Sequence, residues 1–168
     1  SVTIDCVVFG YDGEQLSVLL LNRKEEPFAN QWTLPGGFLN LDETFEVAVE
    51  RILSHKAGLA GLYLEQLYTF GGLDRDPRGR VLSVSYYALV NPRQFELVVG
   101  QMANDLRWCA IQDLPILGFD HNRIIEIARR RLAAKVTYQP VGFELLNEQF
   151  TMTELQDLYE SILGESLD

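Results

Sequence analysis

The chain has 168 residues, 47% of them hydrophobic, and a formal net charge of −10 at pH 7. That length can bury one sizeable core with room for a small appendage, while the acidic balance argues against broad nucleic-acid affinity for these residues, because phosphate binding relies on clustered Lys and Arg. No apolar run approaches the ~18 to 20 residues of a membrane span, and no charged-then-apolar leader opens the chain, so the expectation is a soluble, cytoplasmic protein with no membrane partner.

Val2 to Gly10 is β-branched and apolar, Tyr11-Asp12-Gly13-Glu14 carries turn chemistry, and Leu16 to Leu21 resumes an apolar run, which predicts a hairpin. Near-continuous hydrophobicity in both strands implies burial on two faces. Cys6 and Cys109 lie in apolar segments far apart, with no C-x-x-C spacing, and read as free thiols. Arg23 ends the second strand with a cation. Phe28 and Trp32 follow in a loop closing at Pro35-Gly36-Gly37, whose glycines permit positive φ and close backbone approach to a ligand.

From Glu43 to Ala57 the period is helical, with Phe45, Ala48, Val49, Ile52 and Leu53 on one side and Gly58 as the stop. Leu62 to Phe70 and Val81 to Val90 read as strands joined by the polar loop Gly71 to Arg80. Leu106 to Ala110 is a short last strand, and a helix runs from about His121 to Lys135. At Val136-Thr137-Tyr138-Gln139-Pro140 the composition breaks into an extended piece, which divides the chain into 1–136 and 137–168. Beyond it, Thr151 and Glu154 have the spacing of a capping box, and Leu155, Leu158, Tyr159, Ile162 and Leu163 form one apolar stripe ended by Gly164. So short a tail cannot build its own core and must pack on something.

Gly37, Glu43, Arg51, Leu53, Gly58 and Leu59 stand at the spacing G-x5-E-x7-R-E-U-x-E-E-x-G-U, where U is aliphatic, and so resemble the Nudix box. The three helix glutamates of that box are replaced by Ile52, His55 and Lys56. In Nudix hydrolases those acids hold divalent cations that let water attack a nucleoside diphosphate. Magnesium needs oxygen ligands, and this i, i+3, i+4 face offers an alkyl group, an imidazole and an ammonium. Glu46 and Glu50 lie roughly 120° and 160° around the helix from Ile52, at about 100° per residue, and face elsewhere. Lys56 repels a metal and attracts phosphate directly. Glu43 and Arg51 read as a structural ion pair and His55 as a surface group.

The resemblance covers the whole chain. Trp32-Thr33-Leu34-Pro35-Gly36-Gly37, the Asp74 to Arg80 loop, Trp108 ahead of Leu114-Pro115, Phe119-Asp120-His121, and the tail from Tyr138-Gln139-Pro140 through Phe150-Thr151-Met152-Thr153-Glu154 are similar to the Nudix-related transcriptional regulators of NAD metabolism. It implies an α+β Nudix fold, a mixed β-sheet sandwiched between helices, over 1–136, followed over 137–168 by the first part of a winged helix-turn-helix domain. It further implies a dimeric repressor whose Nudix domain senses ADP-ribose; the replacement of all three acids adds the expectation that it does so without hydrolysis, with no metal or other cofactor required and no catalytic residues. The family's recognition helix and wing would follow the helix Met152 to Leu163, so these 168 residues are expected to bind effector but not operator DNA with full affinity. Candidate effector residues are Arg23, Arg51 and Lys56 for the pyrophosphate, Phe28 or Trp32 for adenine, Gly36 and Gly37 for close approach, and the loop from Arg75 to Arg80 over a ribose. Two rival readings stand beside this one: an active hydrolase of ADP-ribose or a related nucleoside diphosphate with atypical ligands, and a dimerisation scaffold.

Overall fold

The computed structural model describes residues 1–137 and 141–166. Its seven strands are β1 (Val2–Tyr11), β2 (Leu16–Arg23), β3 (Trp32–Thr33), β4 (Gly36–Phe38), β5 (Tyr63–Phe70), β6 (Leu82–Val90) and β7 (Ala103–Ala110), and its helices are α1 (Phe45–Ala57), α2 (His121–Val136) and α3 (Met152–Leu163). The sheet runs β3-β2-β1-β6-β5, with β4 on β1 and β7 on β2. β1 and β6 pair in parallel from Val2↔Leu82 to Gly10↔Val90, while the other pairings are antiparallel.

Apolar side chains leave the sheet in both directions, as the unbroken hydrophobicity of β1 and β2 requires. On one face Ile4, Cys6, Val8, Leu19 and Leu21 meet Ala48, Val49, Ile52 and Leu53 of α1. On the other, Val7, Phe9, Val18 and Leu20 meet Ile124, Ile125, Ala128 and Leu132 of α2. The mixed sheet between helices expected from the sequence is therefore present, and both cysteines are free.

How β1 and β2 separate determines where the cleft opens. They pair with each other between Phe9–Tyr11 and Leu16–Val18. Further along, Thr3–Asp5 of β1 pair with β4 and Leu21–Asn22 of β2 pair with β3. The Trp32–Phe38 segment is thus wedged between the diverging strands, tied by a Cys6 N–H bond to the Pro35 carbonyl at 2.9 Å. Such two- and three-residue strands carry too little pattern to be read from sequence. Gly36 and Gly37 are not in the left-handed region, contrary to the expectation of positive φ. Gly36 is required by proximity instead, since a Cβ there would lie 2.1 Å from Asp5 Oδ1.

α1 begins at an N-cap, Thr44, whose hydroxyl accepts from the Val47 N–H, and ends at Gly58 with φ 70°. α3 is capped alike by Thr151, which accepts from the Glu154 N–H, and by Gly164. Leu145, Leu146, Leu158 and Ile162 are buried in the same cluster as Phe9, Val18, Leu132 and Val136, so the tail does pack on the α2 face of the sheet. β7 starts at Ala103, three residues before the predicted strand. The predicted extended piece falls mostly on residues 138–140, outside the described residues; Val136 ends α2, and Thr137 caps it in the helical region. Among the described residues no helix is long and apolar enough to cross a membrane.

Candidate functional site

A cleft of about 440 Å³ lies where β1 and β2 diverge, walled by β4, α1, the loop before β6 and the entry to α2. Its floor is polar and buried. Asp5 projects from an otherwise apolar strand, its Oδ2 accepting from the Ser83 hydroxyl at 2.6 Å. Arg75 donates to both oxygens of Asp120 at 3.0 and 2.8 Å and lies 3.7 Å from Asp5, which ties the loop before β6 to the start of α2. His121 Nδ1 accepts from the Leu34 N–H at 2.9 Å. The ring proton of the neutral imidazole is therefore on Nε2, 3.5 Å from Asp5 Oδ1. Burial depresses the His121 pKa more strongly than Asp5 and Asp120 raise it.

Five cations line this cleft, and three already have partners. Arg51 donates to both oxygens of Glu43, at 2.9 and 2.6 Å, and to the Phe38 carbonyl. Its hydrogen bonds hold the Glu43 carboxyl down at about 2, so the pair is the structural one anticipated. Arg75 is held by Asp120, and Arg78 donates to both oxygens of Asp76 at 3.0 and 2.7 Å. Arg23 and Lys56 differ. Arg23 donates Nε to the Pro27 carbonyl at 2.6 Å, Lys56 donates to the Gly36 carbonyl, and neither forms an ion pair among the described residues. Burial, then the charge of Arg78, lowers the Arg23 pKa; burial, then the charge of Arg23, lowers that of Lys56. Two half-buried like charges facing one cleft favour an anion between them.

The face of α1 that carries the acids of the Nudix box is built differently here. Ile52 is 1% exposed, and a Cβ on Gly37 would come within 3.3 Å of its Cγ1 and 3.8 Å of Lys56 Nζ. Packing and an ammonium thus occupy the place of carboxylates, while His55, Glu46 and Glu50 are exposed. Among the described residues no group of three His, Cys, Asp or Glu side chains could hold a metal ion. The side chains present do not fit a hard divalent cation.

Of the candidate residues, Arg23, Gly36, Gly37, Arg51, Lys56 and Arg75 line the cleft, whereas Phe28, Trp32 and Arg80 do not. Phe28 packs behind Phe119, with ring centroids 4.6 Å apart. Trp32 lies against the α2-side core and carries the Arg107 guanidinium 4.3 Å from its ring. Arg80 turns to the carbonyls of Gly71 and Gly72. In their place the fold brings Asp5, Phe38, Asp76, Arg78, Phe119 and His121 into the cleft. A lone carboxylate within the apolar run Val2 to Gly10 was a signal for Asp5; Phe119 stood in a motif of the resemblance, but nothing in the sequence showed its backbone at φ 56°, in the left-handed region at a cost of about 1–3 kcal/mol.

A NUDIX-domain family model matches residues 1–148, and the NrtR DNA-binding winged helix domain matches 142–168. The ADPR responsive transcriptional repressor NtrR of Acinetobacter baylyi is 37% identical over 99% of this chain and 68% of its own length. An ADP-ribose pyrophosphatase of Methanocaldococcus jannaschii is 37% identical over 65% of this chain and 63% of its own. Shewanella oneidensis NrtR, solved with a 27mer DNA, superposes with a TM-score of 0.87 at 38% identity, covering 99% of this chain and 77% of that one. Its NUDIX domain with ADP ribose superposes with a TM-score of 0.71 at 39% identity, covering 78% and 87%. With the sheet, the altered α1 face and the packed tail alike in place, this chain belongs to the NUDIX family, in the branch of NrtR-type transcriptional repressors that join a NUDIX domain to a winged helix.

Proposed function

We propose that this chain is the effector-sensing part of a cytoplasmic, homodimeric repressor of NAD-metabolism genes, and that its cleft binds ADP-ribose without hydrolysing it. The observation that carries this reading is the pair Arg23 and Lys56, half-buried in the cleft and without an ion pair among the described residues, with Lys56 standing where a hydrolase carries a metal-binding acid. A diphosphate brings two negative charges to them and needs no metal to do so. Arg51 and Arg75 would brace the walls rather than meet the ligand, since their donors are committed to Glu43 and Asp120. We place the boundary between the two parts after Val136, where α2 ends. The A. baylyi repressor is ADPR responsive and S. oneidensis NrtR has been solved with both ADP ribose and DNA, which supports ADP-ribose and operator DNA as partners of the whole protein here.

The similarity to the M. jannaschii pyrophosphatase keeps a second reading, hydrolysis of ADP-ribose. Calorimetric titration with ADP-ribose, with and without Mg²⁺, followed by assay for AMP, separates the two. Saturable binding indifferent to Mg²⁺ and free of AMP is expected. AMP released at about 1 s⁻¹ or faster, an ordinary enzymatic rate, would replace the sensor by the enzyme.

A further inference from the structure

A second cavity, of about 200 Å³, lies at the other end of β1 from the cleft, on the seam where the tail packs against the sheet. One wall is the end of β1 and the turn after β6, which bring Tyr11, Asn91 and Arg93. The other wall is the segment before α3 and the first turn of that helix, which bring Leu145, Leu146, Asn147 and Glu154, all within the 142–168 stretch matched by the winged-helix model. Asn91, 3% exposed, ties the two walls by donating Nδ2 to Asn147 Oδ1 at 2.6 Å.

The polar groups around this cavity are under-used. Tyr11 is 5% exposed, yet its hydroxyl makes no hydrogen bond among the described residues, which is rare because an unpaired buried hydroxyl is destabilising. Burial raises its pKa and the Ser161 hydroxyl of α3 lowers it, so Ser161 is near but outside bonding geometry; Asp157 and Glu154 act on it through their charge. Arg93 gives one N–H to the Asp12 carbonyl at 3.2 Å and forms no ion pair among the described residues, because the Asp12 carboxylate is spent on the N–H groups of Glu14 and Gln15 at 2.8 Å each. Glu154, exposed at the opposite wall, forms no ion pair among the described residues either. A guanidinium and a carboxylate thus line one cavity without meeting, and Leu145 and Leu146, 1% and 8% exposed, supply its apolar wall.

We propose that this seam cavity is a binding site for a small zwitterion, which places its carboxylate on Arg93, its ammonium on Glu154 and the Tyr11 hydroxyl, and its apolar part over Leu145 and Leu146. A lone anion would face Glu154 and a lone cation would face Arg93, whereas a molecule with both charges satisfies each by a charge-assisted bond. The volume is below the roughly 300–1,000 Å³ of pockets for drug-sized ligands, so the occupant is small, and an α-amino acid is the simplest molecule of this class. Because one wall is the sheet and the other is α3, the bound molecule fastens the tail to the NUDIX part. The site shares no lining residue with the ADP-ribose cleft and does not rest on that reading.

The test is calorimetric titration of the full chain with L-leucine, with isocaproate, which is leucine without its ammonium, and with isoamylamine, which is leucine without its carboxylate. The wild type should bind leucine saturably and each single-charge analogue at least about 10-fold more weakly, the worth of one charge-assisted hydrogen bond. Arg93→Gln and Glu154→Gln should each weaken leucine by about the same factor and leave ADP-ribose affinity unchanged. Tyr11→Phe should weaken leucine less and raise the thermal midpoint of the free chain, since it removes the unpaired hydroxyl. A wild type that takes up no leucine to about 10 mM, an analogue that binds as well as leucine, or leucine affinity untouched in both charge variants overturns the seam site. ADP-ribose titrated into the same samples reads the sensor separately, so either proposal can fail while the other stands. Arg93 and Glu154 are both exposed, so their variants give the result even where Tyr11→Phe does not fold.

Discussion

Lys56 is the residue at which the altered chemistry of this domain is concentrated. Its ammonium donates to Gly36 at the cleft wall, and burial depresses its pKa below the ordinary value of 10.5, so the charge is held at a cost that an anionic ligand offsets. Lys56→Met should therefore weaken ADP-ribose by about 10- to 100-fold, the worth of one charge-assisted hydrogen bond. Its thermal midpoint should match or exceed the wild type, an inverse relation between stability and binding that calorimetry and thermal melts check together. Affinity in the wild type should be flat through neutral pH and fall as alkaline pH approaches the lowered Lys56 value, a fall that Lys56→Met abolishes. His121 acts on the acid side. Its folded pKa lies below 6.5, so the stability given by the neutral ring is complete above 6.5 and is lost as pH falls through the lower, folded value. Protonating Nδ1 also breaks the bond from Leu34. The melting temperature should drop between pH 7 and pH 5, and His121→Gln should drop less.

At the scale of the element, α1 carries packing and an ammonium at positions where the Nudix box has acids. Its apolar side was readable from periodicity, and the structure buries Ala48, Val49, Ile52, Leu53 and Ala57 along it. Ile52 stands at the position of an acid in the box, yet the burial that suits an isoleucine excludes a carboxylate. Ile52→Glu should destabilise the fold by several kcal/mol, the cost of an unpaired buried charge. It should not restore hydrolysis, which chemical denaturation and an AMP assay would show. α2 lies between the two functions: its N-terminal entry carries Phe119, Asp120 and His121 into the cleft, while Leu132 and Val136 at its other end share a core with α3.

For the whole molecule, that shared core joins the NUDIX sheet to α3, which lies within the stretch matched by the winged-helix model. Leu158 and Ile162 are 0% and 1% exposed within the cluster that contains Phe9 and Leu132. Ile162→Ala should cost about 2–5 kcal/mol. Because the two tryptophans, Trp32 and Trp108, lie in the NUDIX part, their fluorescence should report the shift as a single transition. A tryptophan transition left unmoved by Ile162→Ala would mean that the tail docks without sharing cooperativity.

The sequence by itself determined the order of the five longer strands and the three helices, the caps at Gly58, Thr151 and Gly164, the replacement of the box acids on α1, and the resemblance to the repressor family. Periodicity, turn chemistry and motif spacing are local, so one chain suffices to read them. Which side chains meet in the cleft was decided by tertiary structure. Asp5 meets Ser83 from 78 residues away, Arg75 meets Asp120 from 45, and Leu34 meets His121 from 87. The divergence of β1 and β2 brings these segments together, and no local pattern encodes it. The same long-range assembly separates Arg23 and Lys56, which form no ion pair among the described residues, from Arg51 and Arg75, which do, and it packs Phe28 against Phe119.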